Sequence, residues 1–252
     1  MEEPFMLHPE LDGDSFFFEG DETAFLLVHG YTATTTEVRT LAEHFLALGH
    51  TVAAPLLPGH GTHPDQLNQI SWQDWYEAVR QTYLDLRSRN KKVWLAGESM
   101  GALLCLKLAI DHPEIEGLLL FAPAIKVRYI GAARLLQFFK GHIKKGHGDR
   151  TMPWKGYNVY PLKGAVELLK LQKVVRKDLH KIKQPMLAIV SKADATVKLE
   201  TGEKLVDSIS SSQKRLVVLE NSPHVMLLGP EADQIFSIAE DFFNEVSHPT
   251  ER

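Results

Sequence analysis

The chain has 252 residues, 44% of them apolar and 24% charged, and its net charge is −4 at neutral pH. That is the composition of a globular domain long enough to bury a large core, and its one cysteine, Cys105, excludes an internal disulfide. No stretch reaches the roughly 18 apolar residues of a membrane span, and the acidic, mixed Met1–Asp14 region argues against a leader peptide, so a cytoplasmic location is the default expectation.

Ser15–Gly20 reads as a short first strand closed by a turn. Ala24–Val28 is apolar at every position, as in a strand buried on both faces of a parallel sheet. It runs out at His29-Gly30-Tyr31-Thr32. Thr34 and Glu37 have capping-box spacing, and Val38, Leu41, Ala42, Phe45 and Leu48 form a helical stripe that stops at Gly49. Thr51–Pro55 is the next strand, followed by a glycine- and histidine-rich loop, Pro58–Pro64. Ser71 with Asp74 is a second capping box and opens a helix through Trp72, Trp75, Val79 and Leu86. Lys92–Ala96 reads as a buried strand, Ala102–Ile110 as a buried helix, and Gly117–Phe121 as a buried strand ending at Ala122-Pro123-Ala124.

The alternation then breaks. Residues 126–183 hold 15 Lys and Arg but only three acids (Asp149, Glu167 and Asp178), a charge of +12 that leaves −16 for the rest. A shift of this size marks a separate structural unit. Within it, glycines (Gly141, Gly146, Gly148, Gly156, Gly164) joint two helix-like pieces, Ala132–Ile143 and Gly164–Leu179. Alternation resumes with a strand at Pro185–Val190, a helix at Leu199–Ile209, a strand at Lys214–Leu219 and a helix at Ala232–Val246. The pattern predicts an α/β fold with a mostly parallel central sheet flanked by helices. Residues 1–125 and 184–252 form its core, and 126–183 is a cap inserted above the sheet.

The stretch Gly97-Glu98-Ser99-Met100-Gly101 lies between a strand and a helix. A G-x-S-x-G in that setting has the form of a nucleophile elbow, in which a sharp strained turn raises the serine hydroxyl at the sheet's end. Gly97 and Gly101 lack Cβ because a side chain there would strike the neighbouring strand or helix. The alternative is an ordinary turn whose serine caps the helix. A serine nucleophile needs a base, and the base an orienting acid, drawn from loops at the carboxyl ends of the strands. Asp194 follows the strand ending at Val190, and His224 follows the strand ending at Leu219. The order Ser, Asp, His is that of the α/β-hydrolase fold. Ser99, Asp194 and His224 are thus the candidate catalytic residues, and the backbone N–H groups of Tyr31 and Met100 the candidate oxyanion donors.

Other polar residues have competing readings. Glu220 also stands at a strand end and rivals Asp194. His60 and His63 hint at a metal, but no carboxylate or cysteine shares their spacing, which favours a turn. His29 is expected to organise the oxyanion loop, and Glu98 to be a hydrogen-bonded support inside the elbow. The apolar stripe of the insertion, with Leu135, Phe138 and Phe139, is either cap packing or a wall for an acyl chain, with Val197 as a further substrate contact.

His29-Gly30-Tyr31-Thr32, Gly59-His60-Gly61-Thr62-His63, Trp72 with Asp74-Trp75, Gly97–Gly101, Asp194 with Val197, and Ser222-Pro223-His224-Val225 together resemble the bacterial monoacylglycerol lipases and related small carboxylesterases. The resemblance covers most of residues 24–125 and 185–246, and the cap matches poorly. It implies a serine esterase with a cap over the site, no cofactor, and mono-ester substrates with a medium or long acyl chain. Glu98 stands where that family often has an apolar residue, and Ala102 where a further glycine is common. The same triad also serves thioesterases, amidases and carbon–carbon hydrolases, and a hydrolase fold can persist as a ligand-binding receptor. No nucleic-acid partner is expected. The basic cap is expected to make transient contact with anionic lipid interfaces.

Overall fold

The computed structural model describes residues 5–89, 91–146 and 151–248; Gly148 and Asp149 of the basic stretch lie outside the described residues. In chain order these form β1 (Met6–Leu7), β2 (Phe16–Phe18), β3 (Thr23–Val28), α1 (Thr36–Ala47), β4 (Thr51–Ala54), α2 (Pro64–Leu67), α3 (Trp72–Ser88), β5 (Lys92–Glu98), α4 (Met100–Asp111) and β6 (Gly117–Phe121). They continue with α5 (Ala133–Leu136), β7 (His142–Lys144), β8 (Gly156–Tyr157), β9 (Val159–Pro161), α6 (Leu162–Asp178), β10 (Met186–Ser191), α7 (Glu200–Ser208), β11 (Lys214–Leu219) and α8 (Ala232–Ser247).

The apolar runs pair into one seven-stranded sheet in the order β11-β10-β6-β5-β3-β4-β2, with only the edge strand β2 antiparallel to its neighbour. Side chains alternate across a strand, so each run feeds two cores. Phe25, Leu27, Trp94, Ala96, Leu119 and Phe121 pack with Phe45 of α1 and Phe243 of α8. Leu26, Val28, Leu95, Leu118 and Leu120 pack with Trp75 of α3, Leu104 of α4 and Leu171 of α6. Helix α4 is apolar nearly all round because it lies between the sheet and two other helices, α3 and α6.

The Ser71–Asp74 capping box forms as expected, with both reciprocal bonds present. The Thr34–Glu37 box does not. Helix α1 starts after Thr35 without a side-chain cap, and Thr34 Oγ1 instead donates to the Lys155 carbonyl at 3.0 Å. Glu37 accepts from the Gly30 N–H and from Trp154 Nε1 (3.2 Å), so its carboxylate is committed to tertiary contacts.

The basic stretch has two kinds of structure. The helix expected over Ala132–Ile143 ends at Leu136, and His142–Lys144 turns into a strand paired with Val159–Pro161. Gly141 interrupts the helical stripe there, and its carbonyl accepts from Leu162 N at 2.9 Å, closing a hairpin-like connection rather than extending the helix. Helix α6 spans the expected region, but its Leu168, Leu171 and Val175 belong to the same core cluster as the sheet. Gln172 Nε2 donates to the Ala124 carbonyl at 2.7 Å and fixes α6 to the end of β6. Among the described residues no helix is long and apolar enough to cross a membrane.

Candidate active site

The elbow is built as the glycines demand. Ser99 has φ +56° and ψ −111°, a conformation costing of order 1–3 kcal/mol in a non-glycine residue. A Cβ on Gly101 would lie 2.0 Å from the Val28 carbonyl oxygen of β3, and one on Gly97 would lie 2.6 Å from the Gly101 carbonyl carbon. The strain is held by backbone bonds on both sides: Ser99 N donates to Phe121 O at 2.9 Å, and Ala124 N donates to Ser99 O at 3.2 Å.

Three loops converge on this serine. Ser99 Oγ lies 2.9 Å from His224 Nε2, and His224 Nδ1 lies 2.8 Å from Asp194 Oδ2. A carboxylate at Nδ1 selects the tautomer with its proton there, which leaves Nε2 to accept from the serine hydroxyl. The other oxygen, Asp194 Oδ1, accepts the N–H groups of Thr196 (2.7 Å) and Val197 (2.9 Å). Burial works against the charge on Asp194, but His224 and these two amides outweigh it and hold the carboxyl below the usual range. Glu220 points away and pairs with Lys192 at 2.6 Å on the surface.

The Met100 N–H is at the first turn of α4, and the Tyr31 N–H is in the loop after β3; neither donates to an acceptor among the described residues. His29 holds that loop from below. Its Nδ1 bonds the Gly30 carbonyl at 2.9 Å, and its Nε2 accepts the Leu57 N–H at 3.1 Å. Burial lowers its pKa to about 4, so the ring is neutral and serves as a strut at neutral pH. His60 is buried edge-on to His29 and Trp75, and His63 accepts the Asp65 N–H (3.3 Å) as the cap of α2. Among the described residues, no group of three or more His, Cys, Asp or Glu is placed to hold a metal ion.

Above Ser99 opens a cavity of about 560 Å³. One wall is apolar, formed by Val127, Ile130, Ala133, Leu136, Leu162, Ala165 and Leu168. Another carries Glu37, Lys145, Trp154, Asn158 and Tyr160. Lys145 Nζ donates to Thr32 Oγ1 and sits 4.4 Å from the Trp154 ring centre. Burial lowers the Lys145 pKa to about 7, and the charge of Glu37 only partly opposes this. The substrate contacts expected from sequence lie elsewhere. Leu135, Phe138 and Phe139 are 67%, 77% and 77% exposed and none lines the cavity: Leu135 is on the outward side of α5, and Phe138 and Phe139 lie beyond its end at Leu136. Val197 is buried in the core and bridges to Val127 instead. The residues that do line the wall, Leu162, Ala165 and Leu168, follow the three-residue spacing of a helix face, a signal present in the sequence. The polar wall left no such trace, since its members come from separated segments.

A family model described as serine aminopeptidase, S33, matches residues 21–155 and 158–231. The chain is 31% identical over 242 residues to a thermostable monoacylglycerol lipase of a Bacillus species, covering 94% of this chain and 96% of that one. It is 27% identical over 237 residues to a carboxylesterase of Bacillus subtilis, covering 92% and 96%. A solved structure from work on LipS and LipT, two metagenome-derived lipolytic enzymes, superposes with a TM-score of 0.88 at 27% identity, covering 95% of this chain and 99% of that one.

Proposed function

The chain belongs to the serine aminopeptidase S33 family and has the α/β-hydrolase fold, and from that premise we propose that it hydrolyses carboxylic esters of lipophilic mono-acyl substrates, monoacylglycerols among them, through an acyl-enzyme on Ser99. The relay from Ser99 through His224 to Asp194, set under a cavity with one apolar wall, carries this reading. Ser99 Oγ attacks the ester carbonyl carbon while His224 Nε2 takes its proton. Asp194 holds the imidazole and stabilises its charged form. The N–H groups of Tyr31 and Met100 receive the developing oxyanion. The tetrahedral adduct then collapses: the C–O bond to the alcohol breaks, and His224 returns the proton to the departing oxygen. Water, deprotonated by His224, attacks the acyl-serine; the bond from the acyl carbon to Ser99 Oγ breaks, His224 returns the proton to Oγ, and the acid leaves.

In this reading residues 126–183 serve as the cap, with α6 as its rooted part. The acyl chain lies along Ala165 and Leu168, and the alcohol faces the wall of Lys145 and Asn158. Filling the apolar arm tests the assignment. Ala165→Phe is expected to leave kcat/KM for an acetyl ester within about threefold while lowering that for a dodecanoyl ester by more than about tenfold. Equal losses on both esters, measured with p-nitrophenyl substrates of graded length, would remove Ala165 from the acyl site.

The outer surface of the cap supports transient contact with anionic lipid interfaces. Phe138 and Phe139 stand out among basic neighbours Arg134 and Lys140, and Tyr129 (90% exposed) lines the cavity beside Arg128. Vesicles containing phosphatidylglycerol are expected to retain the protein at low salt and release it at high salt, and Phe138→Ser with Phe139→Ser to weaken retention several-fold. Equal retention by uncharged vesicles in a sedimentation assay would refute the electrostatic part.

A further inference from the structure

Two buried carboxyls flank the elbow on one side of the sheet, and the reaction above uses neither. Glu98 ends β5. Its side chain continues the face of Trp94 and Ala96, toward α1 and α8, where an apolar residue would be ordinary. Instead, its Oε1 accepts the N–H of Met226 at 2.6 Å and that of Leu227 at 3.3 Å, while Oε2 has no partner among the described residues. Those amides open the short 3-10 turn Met226–Leu228, two residues beyond His224. Glu37, on α1, reaches the other active-site loop. One of its oxygens accepts the Gly30 N–H, immediately before Tyr31, and the other accepts Trp154 Nε1. A Cβ on Gly30 would fall 2.9 Å from Glu37 Oε2 and 3.3 Å from Ser99 Cβ, so Gly30 stands closely between this carboxyl and the serine.

We propose that Glu98 and Glu37 are positioning residues: Glu98 fastens the loop that carries His224, and Glu37 fastens the loop that presents the Tyr31 N–H. Both loops leave the sheet at its carboxyl end, where the ladder bonds of the parallel strands stop; the first is also held by His29 and by Tyr157 N, which donates to the Thr32 carbonyl at 2.8 Å. Carboxyl oxygens at their otherwise unused amides add a restraint directly beside Tyr31 and His224. Burial, and then the charge of Glu37, push the Glu98 carboxyl well above the usual range, which suits a group that acts by accepting N–H bonds rather than by charge. The proposal rests on the triad reading of Ser99, His224 and Asp194.

The two sites differ in a way that makes the test specific. Glu98 uses one oxygen, so an amide nitrogen can occupy the Oε2 position while the carbonyl oxygen still accepts both N–H groups. Both oxygens of Glu37 face donors, so an amide there must aim N–H₂ at another N–H. Glu98→Gln is therefore expected to keep kcat on p-nitrophenyl butyrate within about threefold, and Glu98→Leu to lower it by about 10²-fold with KM little changed, the cost of a base displaced by about an ångström. Glu37→Gln is expected to fall by about 10-fold or more for loss of an aligned oxyanion donor. Fluorophosphonate labelling rates should follow the same ranking. Thermal unfolding establishes that each variant is folded, and Glu98→Met serves if Glu98→Leu is not. Near-wild-type kcat in a folded apolar variant at position 98, with Ser99→Ala inactive, overturns this proposal alone, as does equal damage from Gln and Leu. Activity surviving in Ser99→Ala overturns the triad reading and this proposal with it.

Discussion

Ser99→Ala is expected to lower ester turnover by about 10⁴-fold or more and to abolish labelling by a fluorophosphonate, with the fold intact. The size follows from the geometry. Removing Oγ removes the attacking atom, and the 2.9 Å bond to His224 Nε2 goes with it. In the proposed mechanism what survives is binding in the cavity and the two amides of Tyr31 and Met100, which would act only on an oxyanion that no longer forms. The alanine keeps the Cβ, so the strained φ of +56° and the backbone bonds to Phe121 and Ala124 are unchanged. Wild-type labelling at Ser99 without turnover of any ester in a chain-length panel would favour a ligand-binding receptor. Retention of more than about one-hundredth of wild-type activity in Ser99→Ala would refute the acyl-enzyme route.

The second large effect is on folding. Gly101→Ala places a methyl 2.0 Å from the Val28 carbonyl oxygen and 2.8 Å from that of His29, both backbone atoms that no rotamer change can move. Helix α4 must then leave β3, against which it is packed through the centre of the molecule. A loss of at least about 4 kcal/mol is expected, enough to unfold many domains of marginal stability. The same displacement carries the segment leading to Tyr31, so any folded fraction should be inactive. Gly131→Ala is the control, since nothing lies within 4 Å of a Cβ there. Thermal unfolding of the two variants decides it; a midpoint for Gly101→Ala within a few degrees of the control would show that the elbow tolerates side chains after all.

The parts legible in the sequence share a property: each is set by neighbours along the chain. The runs at Ala24–Val28, Val93–Ala96 and Gly117–Phe121 have no polar position, so only a strand covered on both faces can hold them. Gly97 and Gly101 mark a turn too tight for Cβ atoms, and the strand ends at Ser191 and Leu219 bring Asp194 and His224 to the same side. What misled were local patterns with a tertiary competitor. Thr34 and Glu37 have the spacing of a capping box, but Lys155, Gly30 and Trp154 offered their side chains other partners. Phe138 and Phe139 continue an apolar stripe, but the helix beneath them ends at Leu136.

The sequence by itself therefore determined the sheet, the elbow and the loops that carry Asp194 and His224, because periodicity and glycine placement act over a few residues. Only the tertiary structure decided which residues line the cavity and what Glu98 does. Lys145, Trp154 and Tyr160 line one cavity with Glu37 across more than 100 residues of chain, and Glu98 finds its amides 128 and 129 residues away. A buried carboxyl is costly unless something donates to it. No pattern along the chain names that donor; it is fixed when the loops close over the end of the sheet.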